Sequence, residues 1–327
     1  MISTGRILTA LLAASSVSAF QPPQPFGTRR QQTRLAASSD DLQVMVNGMP
    51  GPMATAIAES CLRRGLTLCP TAITGPDIPA QTLEIIDSDT GKSAKVDLIP
   101  SSATEDISAM VSNTSLENLV AIDFTHPSAV NSNGDFYAKN GIPFVMGTTG
   151  GDRELLLENT ADAKCFAVIA PNMAKQIVAM QAALEDLARK FPGAFEGYTL
   201  GVTESHQKTK ADTSGTAKAV VDSLKTLSSN DKFTSDDDII KLRTDEDSQN
   251  FGVKPDALTG HAFHTYTLTS GDGSVEFQLK HNVSGRRVYA EGTVDAAIFL
   301  AKKVKEGLTE DGRTVYNMID VLEEGGM

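Results

Sequence analysis

Q-V-M-V-N-G-M-P-G-P-M-A, Gln43 to Ala54, is the stretch on which the fold turns. Gln43–Asn47 is short and apolar at its centre, which predicts a buried strand. It runs straight into a glycine-bearing turn, and apolar residues then recur at helical spacing from about Met53 to Arg64, with Gly65 as a stop. Strand, tight glycine turn and helix open a dinucleotide-binding fold. Gly48 permits the turn, Gly51 lets the backbone approach a pyrophosphate, and the helix N-terminus attracts the anion. Pro52 suits the first helical turn, where its missing N–H would go unpaired anyway. The spacing is G-x-x-G-x-x-A rather than G-x-G-x-x-G, so the turn alone does not define the ligand.

Working outward, a second strand is expected over about Leu66–Ile73. An acid at its end would bind the ribose 2′-hydroxyl of NAD. The chain has Thr71-Ala72-Ile73-Thr74 there and no acid before Asp77, so NADPH is permitted and NADH remains possible. Pro79–Pro100 predicts two strands about an Asp87–Gly91 turn. Ser115–Thr125 predicts a buried strand whose carboxyl end, Thr125-His126-Pro127, lies where doubly wound sheets bind ligands. A helix over Ser128–Asn140 and a strand over Ile142–Met146 lead to Gly147-Thr148-Thr149-Gly150, a loop of N–H and hydroxyl donors. Phe166–Ala170 is a further strand, followed by Pro171-Asn172-Met173. The alternation predicts an α/β fold, a Rossmann-like doubly wound parallel sheet.

Beyond it, Ala174–Lys190 has one apolar stripe of helical spacing. An extended run from Tyr198 leads into E-S-H-Q-K-T-K-A-D-T-S-G-T, Glu204–Thr216, and a helix follows over Thr216–Leu227. Ile239–Arg243, His261–Thr269, Ser274–His281 and Arg287–Ala290 alternate like strands. Gly292–Lys305 and Thr314–Leu322 are expected as helices. The organisation expected is a leader over 1–39, a dinucleotide-binding domain over 40–173, a second α+β domain with an open mixed sheet over 174–286, and C-terminal helices over 287–327 returning to the first.

The leader expectation rests on composition. Residues 1–39 hold four arginines and no acid, and an apolar core over Ile7–Leu12 precedes Ser18-Ala19-Phe20. A signal-like segment followed by an acid-free, Pro- and Arg-rich stretch resembles the bipartite leader of algae with secondary plastids, which implies a plastid stroma. Formal net charge is −12, or −16 without those arginines, which argues against nucleic-acid partners. No apolar run after the first twenty residues is long enough to span a membrane. Cys61, Cys69 and Cys165 show no metal-ligand spacing, and no metal is expected.

The combination of D-F-T at Asp123–Thr125, G-T-T-G at Gly147–Gly150 and the thirteen-residue stretch resembles the dihydrodipicolinate reductases of lysine biosynthesis, nearer the plant and algal type than the bacterial. The resemblance runs from about Val44 to the C-terminus. It implies that Gly48, Gly51 and Met53 line the pyrophosphate turn. Thr125 would bind the cofactor at its strand end, Gly147, Thr148 and Thr149 would flank the nicotinamide side, and Ala170, Pro171, Asn172 and Met173 would form the other cofactor wall. His206 matches the family's catalytic histidine and Lys210 its proton-donating lysine. Gln207, Ser214, Gly215 and Thr216 would hold a cyclic dicarboxylate substrate. Where bacterial relatives have a second histidine, this chain has Gln207, which donates a hydrogen bond but does not titrate. The family's proline before Ser214 is replaced by Thr213, His126 stands where bacteria often have arginine, and prolines flank Gly51. A homo-oligomer is implied, a dimer rather than a tetramer. The chemistry would be hydride transfer from nicotinamide with a proton from His206 or Lys210, an imidazole being suited by its near-neutral pKa. Two other readings share parts of this pattern: a dehydrogenase acting on an amino-acid imine, and a dinucleotide sensor without turnover.

Overall fold

The computed structural model describes residues 42–324 except 235, 309 and 311; the expected leader lies outside them. Strand β1 (Gln43–Asn47) leads through the glycine turn into α1 (Pro52–Arg63). The single strand expected next is two, β2 (Thr67–Leu68) and β3 (Thr71–Thr74), which belong to different sheets. Pro70 lies between them and has no N–H to continue a ladder. The hairpin β4 (Gln81–Ile86) and β5 (Ser93–Pro100) is followed by α2 (Thr104–Asn113), β6 (Leu119–Asp123) and α3 (Val130–Lys139). Next come β7 (Phe144–Met146), α4 (Arg153–Asp162), β8 (Ala167–Ile169) and α5 (Lys175–Lys190). Helices α2 and α4 were not expected. Helix α2 packs only Ile107, Met110 and Val111 on the core, and α4 only Leu156 and Leu157, so each stripe is too short to stand out in sequence.

The chain continues as β9 (Thr199–His206), α6 (Gly215–Ser228), β10 (Ile240–Leu242), α7 (Asp245–Asn250), β11 (His261–Thr269) and β12 (Glu276–Ser284). It closes with α8 (Arg287–Glu306), β13 (Val315–Tyr316) and α9 (Met318–Glu323). Two expectations fail here. Arg287–Ala290 is the first turn of α8, not a strand. Its short alternation is coincidental, because Ala290, Val294 and Ala297 continue as one buried helical stripe. Thr314–Leu322 is not one helix. Val315 and Tyr316 pair in parallel with β8, and Asn317 then starts α9 with a reciprocal capping box to Asp320.

The main sheet is parallel throughout, in the order β13-β8-β7-β6-β1-β2. Alternate residues feed two cores, as the period of a strand requires. Val44, Val46, Val120 and Ile122 pack with residues of α1, α8 and α9 on one face. Met45, Leu119, Ala121 and Phe144 pack with Met110, Val130, Tyr137 and Leu156 on the other. Helices thus cover both faces, and the doubly wound expectation is met. The open mixed sheet is also present, in the order β10-β9-β11-β12. Leu200 and Val202 of β9 and Tyr266 and Leu268 of β11 meet Val220, Val221 and Leu224 of α6 in a third core. A small sheet, β3-β5-β4, completes the fold. None of the described helices is long and apolar enough to cross a membrane.

Candidate active site

At the carboxyl end of β1, Gly48 adopts φ +101°, and a Cβ there would lie 2.2 Å from the carbonyl oxygen of Phe124. A Cβ on Gly51 would lie 2.7 Å from the carbonyl oxygen of Gly48. The turn therefore closes only with glycine at both positions. The α1 N-terminus that it exposes has no side-chain cap and no acid in its first turn. Bare N–H groups, a helix dipole and a backbone without Cβ fit a pyrophosphate. Gly147 makes the neighbouring approach possible, since a Cβ would strike the Phe124 ring at 2.0 Å. Gly292 in α8 does the same for the opposite wall, where a Cβ would sit 1.8 Å from the Met173 carbonyl oxygen.

Beneath these loops lies a carboxylate that the sequence motif alone did not explain. Asp123 is fully buried at the end of β6. Its Oδ1 accepts from the Thr125 N–H at 3.2 Å, the Thr125 hydroxyl at 2.8 Å and the Thr148 hydroxyl at 2.9 Å. Its Oδ2 accepts from Asn133 at 2.9 Å and the Tyr137 hydroxyl at 2.7 Å. Asn47 donates to that same hydroxyl at 2.7 Å and accepts from the Ile73 N–H at 2.7 Å. Burial, then the Asp123 charge, pushes the Tyr137 phenol well above its ordinary value. The hydroxyls of Thr125 and Thr148 thus point inward and hold the loops together, while Thr149 is exposed.

The second sheet brings the other groups together by register. Leu200, Val202, Glu204 and His206 alternate onto one face of β9. Glu204 pairs directly with His264 of β11, and His264 with His281 of β12. The apolar core of that face thereby passes into a row of carboxylate and imidazoles. His206 lies opposite Ala262, and its Nε2 meets Nε2 of His264 diagonally at 3.3 Å. His264 stacks on His281 with centroids 4.5 Å apart, and the Tyr266 hydroxyl lies 3.4 Å from Nε2 of His281. On the opposite face, Ser205 contacts Nε2 of His261 at 2.8 Å.

These imidazoles are held neutral. Burial above all, then the Arg243 and Lys210 charges, pushes His206 from its ordinary 6.5 down to about 3. Burial, then His281 and His206, takes His264 down to about 2. His281 falls to about 4 through burial. Burial also lowers His261.

Glu204, fully buried, is answered by Arg243 in an ion pair and by the Ser214 N–H at 3.1 Å. Arg243 also donates to the carbonyls of Lys210 at 2.7 Å and Asp212 at 3.2 Å. This arginine, at the end of a strand legible in sequence but with no motif of its own, ties the 207–213 loop to the sheet. Glu204, His206 and His264 have polar atoms within 4.8 Å of one another, and of these only the two imidazoles are in hydrogen-bond contact. Lys210 pairs its ammonium with Asp212 at 2.8 Å. Ser214 caps α6, its hydroxyl accepting from the Ala217 N–H at 3.5 Å. Its N–H is engaged by Glu204 while its O–H remains a donor, and Gly215 and Thr216 carry the exposed part of the turn. Asn172 donates to the Thr216 hydroxyl at 3.1 Å, so the expected cofactor wall and substrate turn are in direct contact.

A cavity of about 240 Å³ joins the two regions, lined among others by Met53 from α1, His206, Gln207, His261, Arg286 and Tyr289. Among the described residues Arg286 forms no ion pair, so its charge is available to the cavity. A parallel dinucleotide-binding sheet facing a cavity of imidazole, amide and guanidinium groups defines a dinucleotide-dependent oxidoreductase. Residues 42–173 match the description "Dihydrodipicolinate reductase, N-terminus", and residues 176–322 match "Dihydrodipicolinate reductase, C-terminus". The chain belongs to the dihydrodipicolinate reductase family. It is 45% identical over 288 residues to the 4-hydroxy-tetrahydrodipicolinate reductase 1, chloroplastic, of Arabidopsis thaliana, covering 88% of this chain and 79% of that one. To the probable 4-hydroxy-tetrahydrodipicolinate reductase 1, chloroplastic, of Oryza sativa subsp. japonica it is 43% identical over 288 residues, with 87% and 79% covered. The fold is shared with a dipicolinate-bound dihydrodipicolinate reductase from Paenisporosarcina sp. TG-14, at a TM-score of 0.55 and 18% identity, covering 84% of this chain and 97% of that one.

Proposed function

We propose that the protein reduces 4-hydroxy-tetrahydrodipicolinate to tetrahydrodipicolinate with NADPH or NADH, in lysine biosynthesis through diaminopimelate. The observation that carries this reading is the cavity in which Met53 of the pyrophosphate turn meets His206, Gln207 and Arg286. The family and the plant relatives supply the substrate. A plastid is the compartment, supported by the word "chloroplastic" in the names of both plant relatives and by the acid-free leader composition.

The nicotinamide, when bound, supplies hydride. The chain supplies charge, position and a proton. Arg286 and the amide of Gln207 line one side of the cavity and suit a carboxylate. Gly215 and Thr216, opening α6 beside Asn172, offer a helix N-terminus to the other carboxylate. Lys210 is present as an ammonium, restrained by Asp212 and charging the His206 neighbourhood. It is the group with a proton to give as charge develops on the substrate. His206, held neutral, serves as a hydrogen-bonding wall whose affinity for a proton rises when a dianion enters.

The buried Thr74 at the end of β3 turns its hydroxyl to the Met49 carbonyl oxygen at 2.5 Å, and no carboxylate takes its place. This favours acceptance of a 2′-phosphate and hence NADPH. A dimer of like chains belongs to the same reading, with the exposed Val275 and Phe277 beside the outer strand β12 as its surface. The test is steady-state kinetics of the purified protein on the product of dihydrodipicolinate synthase with each cofactor. Lys210→Met should lower kcat by about 10²–10⁴-fold with cofactor affinity near wild type. Cofactor binding without turnover in the wild-type protein would overturn the enzymatic reading.

A further inference from the structure

The small Ala262 side chain opposite His206 leaves room for the imidazole to lean along the sheet. Its Nε2 thereby reaches Nε2 of His264 at 3.3 Å. Two ring nitrogens at that distance share one proton, so one is N–H and the other bare. The Nδ1 of His264 decides which. It is buried and has no hydrogen-bond partner among the described residues. A buried N–H is rarely left unpaired, and an acceptor tolerates that fate better. The His264 proton therefore sits on Nε2 and points at His206. His206, neutral and with Nε2 bare, therefore carries its own proton on Nδ1.

We propose that His264 is a positioning residue for His206, donating from Nε2 to fix it as the neutral Nδ1–H tautomer. Glu204 does not draw the His264 proton away, because its Oε2 lies 3.8 Å from Nε2 of His264 and accepts from the Ser214 N–H, while its Oε1 is paired with Arg243. The stack of His281 on His264, with Tyr266 beside both, keeps the donor ring in place. The charged and titratable groups around the pair are Glu204 from β9, Arg243 after β10, Lys210 from the loop, His261 and Tyr266 from β11, His281 from β12 and, on the cavity shared with His206, Arg286 and Tyr289. Arg243 and Lys210, with burial, oppose protonation of both rings. In catalysis, and resting there on the reductase reading, this leaves Lys210 as the acid, because His206 stays neutral with its Nε2 occupied by the His264 N–H.

The test is ¹⁵N-histidine labelling of the full protein with long-range proton–nitrogen correlation, His206 being assigned from the His206→Gln spectrum. The wild-type protein should show His206 as the neutral Nδ1–H form at pH 7, unchanged down to about pH 5. His264→Gln should keep that pattern, since its amide N–H replaces the donor. In His264→Leu both tautomers of His206 should appear, and loss of the donor to its Nε2 should let the ring take a proton at higher pH than in the wild type. An Nε2–H or charged His206 in the wild type at pH 7 would overturn the proposal, as would unchanged His206 signals in His264→Leu. Should the Leu variant not fold, the wild type and the Gln variant still decide. Absence of turnover in every variant would count against the reductase reading and leave the tautomer readout standing.

Discussion

Asp123 and Glu204 are both fully buried carboxylates at the carboxyl ends of strands, and they are satisfied in opposite ways. Asp123 is enclosed by neutral donors from β6, α3 and the Gly147–Gly150 loop. Glu204 is answered by one guanidinium and one N–H, and beside it Nδ1 of His264 and Nδ1 of His281 are buried without partners. A fully paired network is rigid, and an incompletely paired one stores unsatisfied polarity. The cofactor side is thus a fixed frame. The second sheet holds the depressed imidazoles, and titratable groups with shifted values are where chemistry needs them.

The largest effect should come from breaking the frame. Asp123→Ala leaves buried donors without an acceptor, at about 1–3 kcal/mol each. Loss of more than about 3 kcal/mol is expected in urea unfolding, a large part of the ~5–15 kcal/mol that holds a domain together. A loss below about 1 kcal/mol would show that the loops rearrange freely and that the frame is not one.

Acid should separate the regions next. The folded-state values of His206, His264 and His281 lie at about 3, 2 and 4, below their ordinary 6.5. A depressed folded value means that the unfolded chain binds protons first. The stability from these rings is therefore complete above about pH 6.5 and is lost as pH falls from there towards the folded values. Each fully buried ring contributes a slope of about 1.4 kcal/mol per pH unit, and the partly buried His281 less. Denaturant unfolding between pH 7.5 and 5 should show the wild type losing stability faster than His264→Gln, by about one histidine's slope. Equal slopes would mean that water reaches the cluster and the contrast with Asp123 is overdrawn.

Much of this was legible before any coordinates. The β1 turn, the G-T-T-G loop and Glu204–Thr216 each carry local constraints of spacing or glycine geometry, and those survive as physics. Gly48 is required by both φ and contact. His264 and Arg243 were not legible as site residues. Alternation alone places His264 and His281 on faces of their strands, but only the β9-β11-β12 register puts both in a row with Glu204. Arg243 reaches 39 residues back to Glu204, a distance that no local pattern encodes. The mistaken strand at Arg287–Ala290 has the converse cause, a local pattern too short to outvote the longer helical stripe that follows it.

The smallest effect should come from the bond between Asn172 and Thr216 that joins the two regions. Thr216→Val removes the hydroxyl that accepts from Asn172 and keeps the shape of the side chain. Asn172 stays anchored, because its Oδ1 still accepts from the Ala174 N–H at 2.9 Å, and Ser214 still caps α6. The freed amide is only partly buried, so water can take the vacant bond, and stability should fall by no more than about 1 kcal/mol. Function should be more sensitive, because the same turn is assigned a substrate carboxylate. The KM for the dicarboxylate should rise several-fold while the KM for NADPH stays within about twofold, the split expected when ground-state binding alone is lost. A stability loss as large as that of Asp123→Ala would place this bond in the frame rather than between frame and site, and the division of the molecule would have to be redrawn along α6.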